Sequence, residues 1–209
     1  MKRLFMLLII LLTFQICQAM PILQEHYNYN DGMSPDIKAV IGDYHWEAQT
    51  FTAGQDYTIQ SIKFLVSAEA DVSTKTITGR IRDYGFDLSG ADLCIGTLSG
   101  ASIGIGDANK SWQEIDFGAS GANLIGGNKY GIVLSSDDAS ANIRLWVDFT
   151  NPSYLEGARI NSNDYGVSWF PPLSGHDLAF ETYAVPEPAT IFILGMGAVI
   201  TRVFRKRRP

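Results

Sequence analysis

Only two of the 209 residues are cysteine, Cys17 and Cys94. Cys17 sits in a segment read below as removable, which leaves Cys94 without a partner, so no internal disulfide is expected. Stability must then come from a packed core. Cys94 itself lies in the apolar run Ala91-Asp92-Leu93-Cys94-Ile95-Gly96, which suits a buried, inert thiol better than a nucleophile. The three histidines, His26, His45 and His176, are scattered without a second ligand at metal spacing, so no zinc centre is expected. The Gly-x-Ser-x-Gly spacing occurs at Gly100-Ala101-Ser102-Ile103-Gly104, but no helix is expected to follow, so it does not read as a nucleophile elbow. The glycine-rich stretch Gly100 to Gly106 lacks the Gly-Lys-Ser/Thr ending of a phosphate loop and reads as a hairpin loop. No twelve-residue stretch has the period of an amphipathic helix. Basic residues are scarce through the middle of the chain. Residues 20–185 hold 9 Lys and Arg against 21 Asp and Glu, a net charge of −12. Such a segment repels nucleic acid and anionic lipid, which excludes nucleic-acid binding.

The basic residues missing from the middle gather at the two ends. Lys2 and Arg3 precede an apolar run from Leu4 to Phe14, and Cys17-Gln18-Ala19 puts small residues at the −3 and −1 positions of a cut before Met20. This is the pattern of a secretory signal peptide over residues 1–19. An uncleaved anchor is the competing reading. An 11-residue run is short for it, since a span needs about 20 residues.

At the other end stand Val185-Pro186-Glu187-Pro188-Ala189, an apolar stretch, and the basic cluster Arg202, Arg205, Lys206, Arg207 and Arg208. The two prolines hold Glu187 in an extended form that a processing enzyme can grip. The apolar stretch can seek the membrane, and the arginines can hold the tail on the cytoplasmic side. Residues 189–204 make about 24 Å of helix at 1.5 Å per residue. Against about 30 Å of hydrocarbon this is a marginal span, with Arg202 snorkelling to the headgroups. These three parts in this order, over residues 185–209, resemble the PEP-CTERM sorting signal. The resemblance implies export through the inner membrane by the secretion machinery. It further implies transient anchoring by the C-terminal helix, then transfer by an exosortase near Pro186-Glu187-Pro188. The expected destination is the cell surface or extracellular matrix of a Gram-negative, exopolysaccharide-producing bacterium.

Between the ends, period-2 alternation starts near residue 44. Ile62, Phe64 and Val66 form one apolar row. Others are Ile77, Gly79 and Ile81; Ile115 and Phe117; Tyr130, Ile132 and Leu134; Ile143, Leu145, Val147 and Phe149; and Leu178, Phe180 and Thr182. Clusters of Gly, Asn and Asp separate them. Nine or ten short strands, each with one apolar face, predict an all-β fold. The expected architecture is a single two-sheet β-sandwich over 44–184, jelly-roll-like, with 20–43 as a polar lead-in segment. Gln49-Thr50-Phe51-Thr52-Ala53-Gly54, Tyr57-Thr58-Ile59, Asn128 to Val133, Trp146, Trp169 and Asp177 to Tyr183 follow in an order similar to the β-sandwich modules of "choice-of-anchor" surface proteins. That resemblance implies the fold and leaves the ligand open.

Aromatic residues carry the best hint of binding. Alternation places Trp146 opposite Ile143, Leu145 and Val147, on the face of Arg144 and Asp148. A tryptophan between a cation and a carboxylate can stack a sugar ring whose hydroxyls the neighbours bond. The bland alternative is that Trp146 only covers the sheet under a loop. Trp169-Phe170-Pro171-Pro172 reads as a loop packed down as a lid, with Trp169 a second ligand-binding candidate. Trp46 and Trp112 open strands and read as core. The loop carboxylates Asp83, Asp87, Asp92, Asp137 and Asp138 could hold a structural calcium ion, although no Asp-x-Asp-x-Asp-Gly loop is present; solvated turns are the simpler reading. No cofactor is called for. Two function classes stand. The first is a non-catalytic binding or structural component of the matrix, associated with exopolysaccharide or biofilm. The second is a secreted carbohydrate-active hydrolase using loop carboxylates. No catalytic constellation is visible, so the first is expected.

Overall fold

A computed structural model describes residues 22–27, 38–85, 87–148, 154–173 and 175–184. The signal segment, Phe149 and the sorting tail, including the helix expected over 189–204, lie outside the described residues. Among those described, no helix is long and apolar enough to cross a membrane.

The strands are β1 (Ile22–Tyr27), β2 (Lys38–Ile41), β3 (Trp46–Thr52), β4 (Tyr57–Ala68), β5 (Thr76–Asp83), β6 (Asp92–Ser99) and β7 (Ser111–Asp116). They continue with β8 (Ala122–Leu124), β9 (Lys129–Ser136), β10 (Ile143–Asp148), β11 (Arg159–Ser162), β12 (Asp177–Leu178) and β13 (Phe180–Ala184). They form two antiparallel sheets. One runs β11-β3-β9-β5-β6; the other runs β1-β13-β4-β10-β12, with β2 on β10 and both β7 and β8 on β4. The fold is an all-β sandwich, as the alternation predicts. Twelve-residue β4 is the spine of the larger sheet. It pairs with β13 through Ile59–Phe64, β7 through Ser61–Val66, β8 through Tyr57–Ile59 and β10 through Val66–Ala68.

Every apolar row named above whose residues are described turns inward. Ile62, Phe64, Val66, Ile77, Ile81, Ile115, Ile132, Leu134, Ile143, Leu145, Val147, Leu178 and Phe180 belong to one core cluster between the sheets. Gly79 is small because Ile115 of β7 occupies the place its Cβ would take. Residues 23–184 form one compact unit that contains this whole cluster, so the unit carries what it needs to fold alone.

Three features depart from the sequence expectation. The sandwich starts before residue 44, because β1 and β2 pair into the larger sheet; each is too short to show a period of its own. The Gly100–Gly106 stretch is not a hairpin. With the 3-10 turn Asp107–Asn109 that follows it, the stretch, itself opening on the 3-10 turn Gly100–Ser102, carries the chain from β6 in one sheet to β7 in the other. Trp112 is not core: Ile115 points inward, so Trp112 shares the outward face of β7 with Glu114 and Asp116 and is 38% exposed.

Candidate functional site

The outer face of the five-stranded sheet carries a second, smaller apolar cluster. Cross-strand register lines up Ile160, Ala48 and Val133 across β11, β3 and β9, and Arg80 of β5 extends the row. Alanine at 48 and glycine at 131 keep this face shallow, so loops can lie down on it.

The first loop links β5 to β6. Leu88 turns down and is fully buried against the hollow above Gly131; a Cβ there would stand 3.0 Å from Leu88 Cδ1 and closer still to Cδ2. Arg82 ties the loop from below, donating from Nη1 to the Leu88 carbonyl at 2.7 Å and from Nε to Asp92 Oδ1 at 2.6 Å. Asp87 Oδ1 accepts from both Oγ (2.6 Å) and N (2.9 Å) of Ser89, and these bonds hold its carboxyl below the usual range. Asp87 is therefore a fixed anion at the rim.

The second loop follows β11. Ser162 Oγ donates to Asp164 Oδ1 at 2.7 Å and accepts from Gly166 N at 3.0 Å. Asp164 in turn accepts from Oγ and N of Ser168, at 2.5 and 2.9 Å; the Ser168 bonds, then that from Ser162, pull its pKa to about 2. Gly166, at φ +73°, lies against the Trp46 ring where a side chain would not fit. The Arg80 guanidinium stands 4.4 Å from the centroid of a Trp46 ring. Further on, Phe170 N donates to Asn161 O and Leu173 N to Arg159 O, both at 2.9 Å, which fastens this segment to the free edge of β11. Pro171 and Pro172 between them have no N–H to offer and stiffen the strap.

Between the two loops lies a cleft of about 340 Å³. Leu88 and Ile160 form its floor, Tyr84 and Asp87 one wall, and Trp169, Phe170, Pro171 and Pro172 the other. Trp169 Nε1 is buried and makes no hydrogen bond among the described residues. Chemically the cleft offers three aromatic faces, two rigid prolines and one oriented carboxylate. Among the described residues, Asp87 is the single carboxylate of the lining, and no histidine, cysteine or serine joins it. Such a surface suits stacking and orienting a ligand.

The four residues singled out from sequence do not converge. Trp169 belongs to the cleft. Trp146 does lie opposite Ile143, Leu145 and Val147, but on the other sheet, and it is 3% exposed, packed with Leu65 and Ala179. The ammonium groups of Lys110 and Lys38 stand 4.7 and 5.2 Å from the centroid of a Trp146 ring. A ring so enclosed has no face open to a sugar. Arg144 is spent on Glu69. Asp148 is 1% exposed and accepts from the Tyr27 hydroxyl. It faces Asp177 across β10 and β12, and burial, reinforced by the Asp148 charge and opposed by the Gln49 hydrogen bond, pushes the Asp177 pKa up to about 6. This carboxylate pair is sealed and does not line the cleft.

Of the loop carboxylates read as calcium candidates, Asp87, Asp92, Asp137 and Asp138 are engaged locally. Asp92 pairs with Arg82 and Arg80, Asp137 accepts from Thr76 N, and Asp138 from Asn142 N and Ser140 N. Among the described residues no three His, Cys, Asp or Glu side chains gather as a cation site would need. Sequence reasoning missed Tyr84, Leu88 and Ile160, and weighed Asp87 only as a loop carboxylate for calcium or hydrolysis. A usable signal existed: Tyr84-Gly85-Phe86-Asp87-Leu88 sets three large apolar residues inside a turn, where solvent alone would not favour them.

Comparison with known proteins bears on the tail. Residues 184–208 match the PEP-CTERM protein-sorting motif. The chain therefore carries the signal of an exported protein that an exosortase sorts, with membrane anchoring through its C-terminus and then surface localisation. No curated protein matches the chain. Among solved structures, that of the infectious bursal disease virus Gt strain covers 82% of this chain at 9% identity with a TM-score of 0.25. The VP2 subviral particle of infectious bursal disease virus covers 79% at 12% identity with a TM-score of 0.24. The matches span 41% and 46% of those viral chains, less than half their length. Similarity at that level carries no argument about fold or function.

Proposed function

We propose that the protein is a non-catalytic glycan-binding component of the cell surface or extracellular matrix, and that its ligand is neutral exopolysaccharide. The observation that carries this reading is the cleft between the two loops, with Trp169, Phe170 and Tyr84 presented beside a single fixed carboxylate. Aromatic faces stack on the C–H faces of pyranose rings, and Asp87 accepts from hydroxyls. Hydrolysis of a glycosidic bond calls for two carboxylates flanking the bond, and among the described residues the lining supplies one. Charge narrows the ligand further. A segment at net −12 repels uronate or sulfated polymers, so a neutral or amino-sugar chain fits better. The sorting motif supports delivery to the place where such polymers are met.

The test is binding of the purified 20–184 segment to the producing strain's exopolysaccharide, to a neutral glycan panel and to a uronic-acid polymer. Saturable binding to neutral chains, lost in Trp169→Ala, without release of reducing ends, is the expected result. Binding that Trp169→Ala leaves intact, a preference for the acidic polymer, or release of reducing ends would overturn the reading. Mature surface protein is expected to lack residues 189–209 by intact mass.

A further inference from the structure

β6 ends the five-stranded sheet. It pairs with β5 along one side, and among the described residues no backbone hydrogen bond reaches its other side. Several other rims of the sandwich are guarded. β11, at the far end of the same sheet, is strapped by the Phe170–Leu173 segment with its two prolines. β7 carries Glu114 and Asp116, and β2 carries Lys38. β6 has none of these devices past its first two residues. Its one charge, Asp92, is drawn back onto Arg82 and Arg80, and the register shift beside Arg82 blunts only that end. From Cys94 to Ser99 there is neither charge nor proline, and Ile95 is 51% exposed on the outer face. An uncharged edge with no backbone partner among the described residues is a template for another strand.

We propose that β6 is a self-association edge, on which a second copy of this chain lays its own β6 antiparallel about a two-fold axis. A two-fold interface must be self-complementary. Residues opposite one another must also point to the same face, which fixes the parity of the register. An axis through Gly96 meets both conditions: Ile95 lies opposite Thr97 on the outer face, and Cys94 opposite Leu98 on the inner. No carboxylate meets another, although the two chains are each strongly acidic; β6 is a place where they can touch without opposing charge. The two five-stranded sheets then form one continuous sheet of ten strands. The axis is perpendicular to the sheet, so both clefts look out on the same side. Each cleft centres on β3, three strands in from β6, so the two stand roughly 34 Å apart at about 4.8 Å per strand. If the glycan reading above holds, the dimer is bivalent and grips a polymer through two sites at once. The pairing itself does not depend on that reading.

The experiment is light scattering of the 20–184 segment across the micromolar range at low and moderate salt. The expected result is a concentration-dependent doubling of mass, favoured by salt because screening relieves the shared negative charge. The double variant Ile95→Lys/Thr97→Lys, at two exposed positions, sets like charges directly across the axis and should be monomeric while keeping the native far-UV circular dichroism. Ile95→Glu/Thr97→Glu should behave likewise, and mixing the two variants should restore the dimer. A native segment that stays monomeric, a dimer that survives the lysine pair, or a mixture that stays monomeric would each overturn the proposal. Trp169→Ala separates the two readings: it should leave the dimer intact while abolishing glycan binding.

Discussion

Leu88 is the keystone of the cleft, and its removal can be worked through quantitatively. The side chain is fully buried over Gly131, in the cluster of Ala48, Val133 and Ile160. Truncating a buried leucine to alanine costs about 2–5 kcal/mol, the spread reflecting how far the site collapses. This one lies under a loop that can settle, so Leu88→Ala should fall at the lower end, about 2 kcal/mol. Gly131→Ala attacks the same contact from the other side. Its new methyl meets the Leu88 Cδ atoms, and overpacking of this kind costs about 1–3 kcal/mol. Gly131 has no positive φ, so alanine is otherwise acceptable there. In the double variant the clash partner is gone and the new methyl partly refills the hole. The two losses should therefore fall short of adding by about 1 kcal/mol or more. Urea unfolding of the four proteins reads this directly, as midpoints at constant m. Additivity within about 0.3 kcal/mol would show that Leu88 does not sit on Gly131 and would remove the floor of the cleft.

Three further outcomes follow from the same geometry. Trp146→Ala should cost about 3–5 kcal/mol by urea unfolding and leave ligand affinity unchanged, because the ring is enclosed beneath Lys38 and Lys110; a stable variant with lost binding would contradict this. Asp177 holds its proton up to about pH 6 in the folded protein, while the unfolded chain releases it near 3.8. Its stabilising contribution is thus full below pH 4 and lost as pH rises to 6, a change of roughly 3 kcal/mol that Asp177→Asn should abolish; identical pH profiles for the two proteins would refute the assignment. Burial pushes the Cys94 thiol up to about 11, so a thiol reagent at pH 8 should modify it only after denaturation; rapid labelling of the native protein would show the site to be open.

The sandwich core was legible because each long strand buries one face, and the rows 62/64/66, 130/132/134 and 143/145/147 announce that face by parity alone. Parity also fixed the orientation of Trp146; what it could not supply was Lys38 and Lys110, which arrive from β2 and from the β6–β7 crossover. Trp112 shows the reverse case. Ile115 held the phase of β7 in plain view, and following it back three residues turns Trp112 outward. The strands that escaped notice, β1, β2, β8 and β11, have three to six residues each, too few for a period to stand out. The cleft was half visible. Trp169-Phe170-Pro171-Pro172 marked one wall, but the other comes from a loop some 80 residues earlier. The two meet only because β3 and β9 lie between β11 and β5 and present small residues on which both loops can rest. That juxtaposition is a property of strand order, which alternation does not encode.

The account stands on the cleft, and the indole N–H resonances of the four tryptophans test it most directly. A neutral oligosaccharide titrated into the isotope-labelled 20–184 segment should shift the Trp169 signal saturably, while the Trp112 and Trp146 signals stay in place. No shift at Trp169, or a saturable shift confined to Trp112 or Trp146, would contradict the assignment of the binding site.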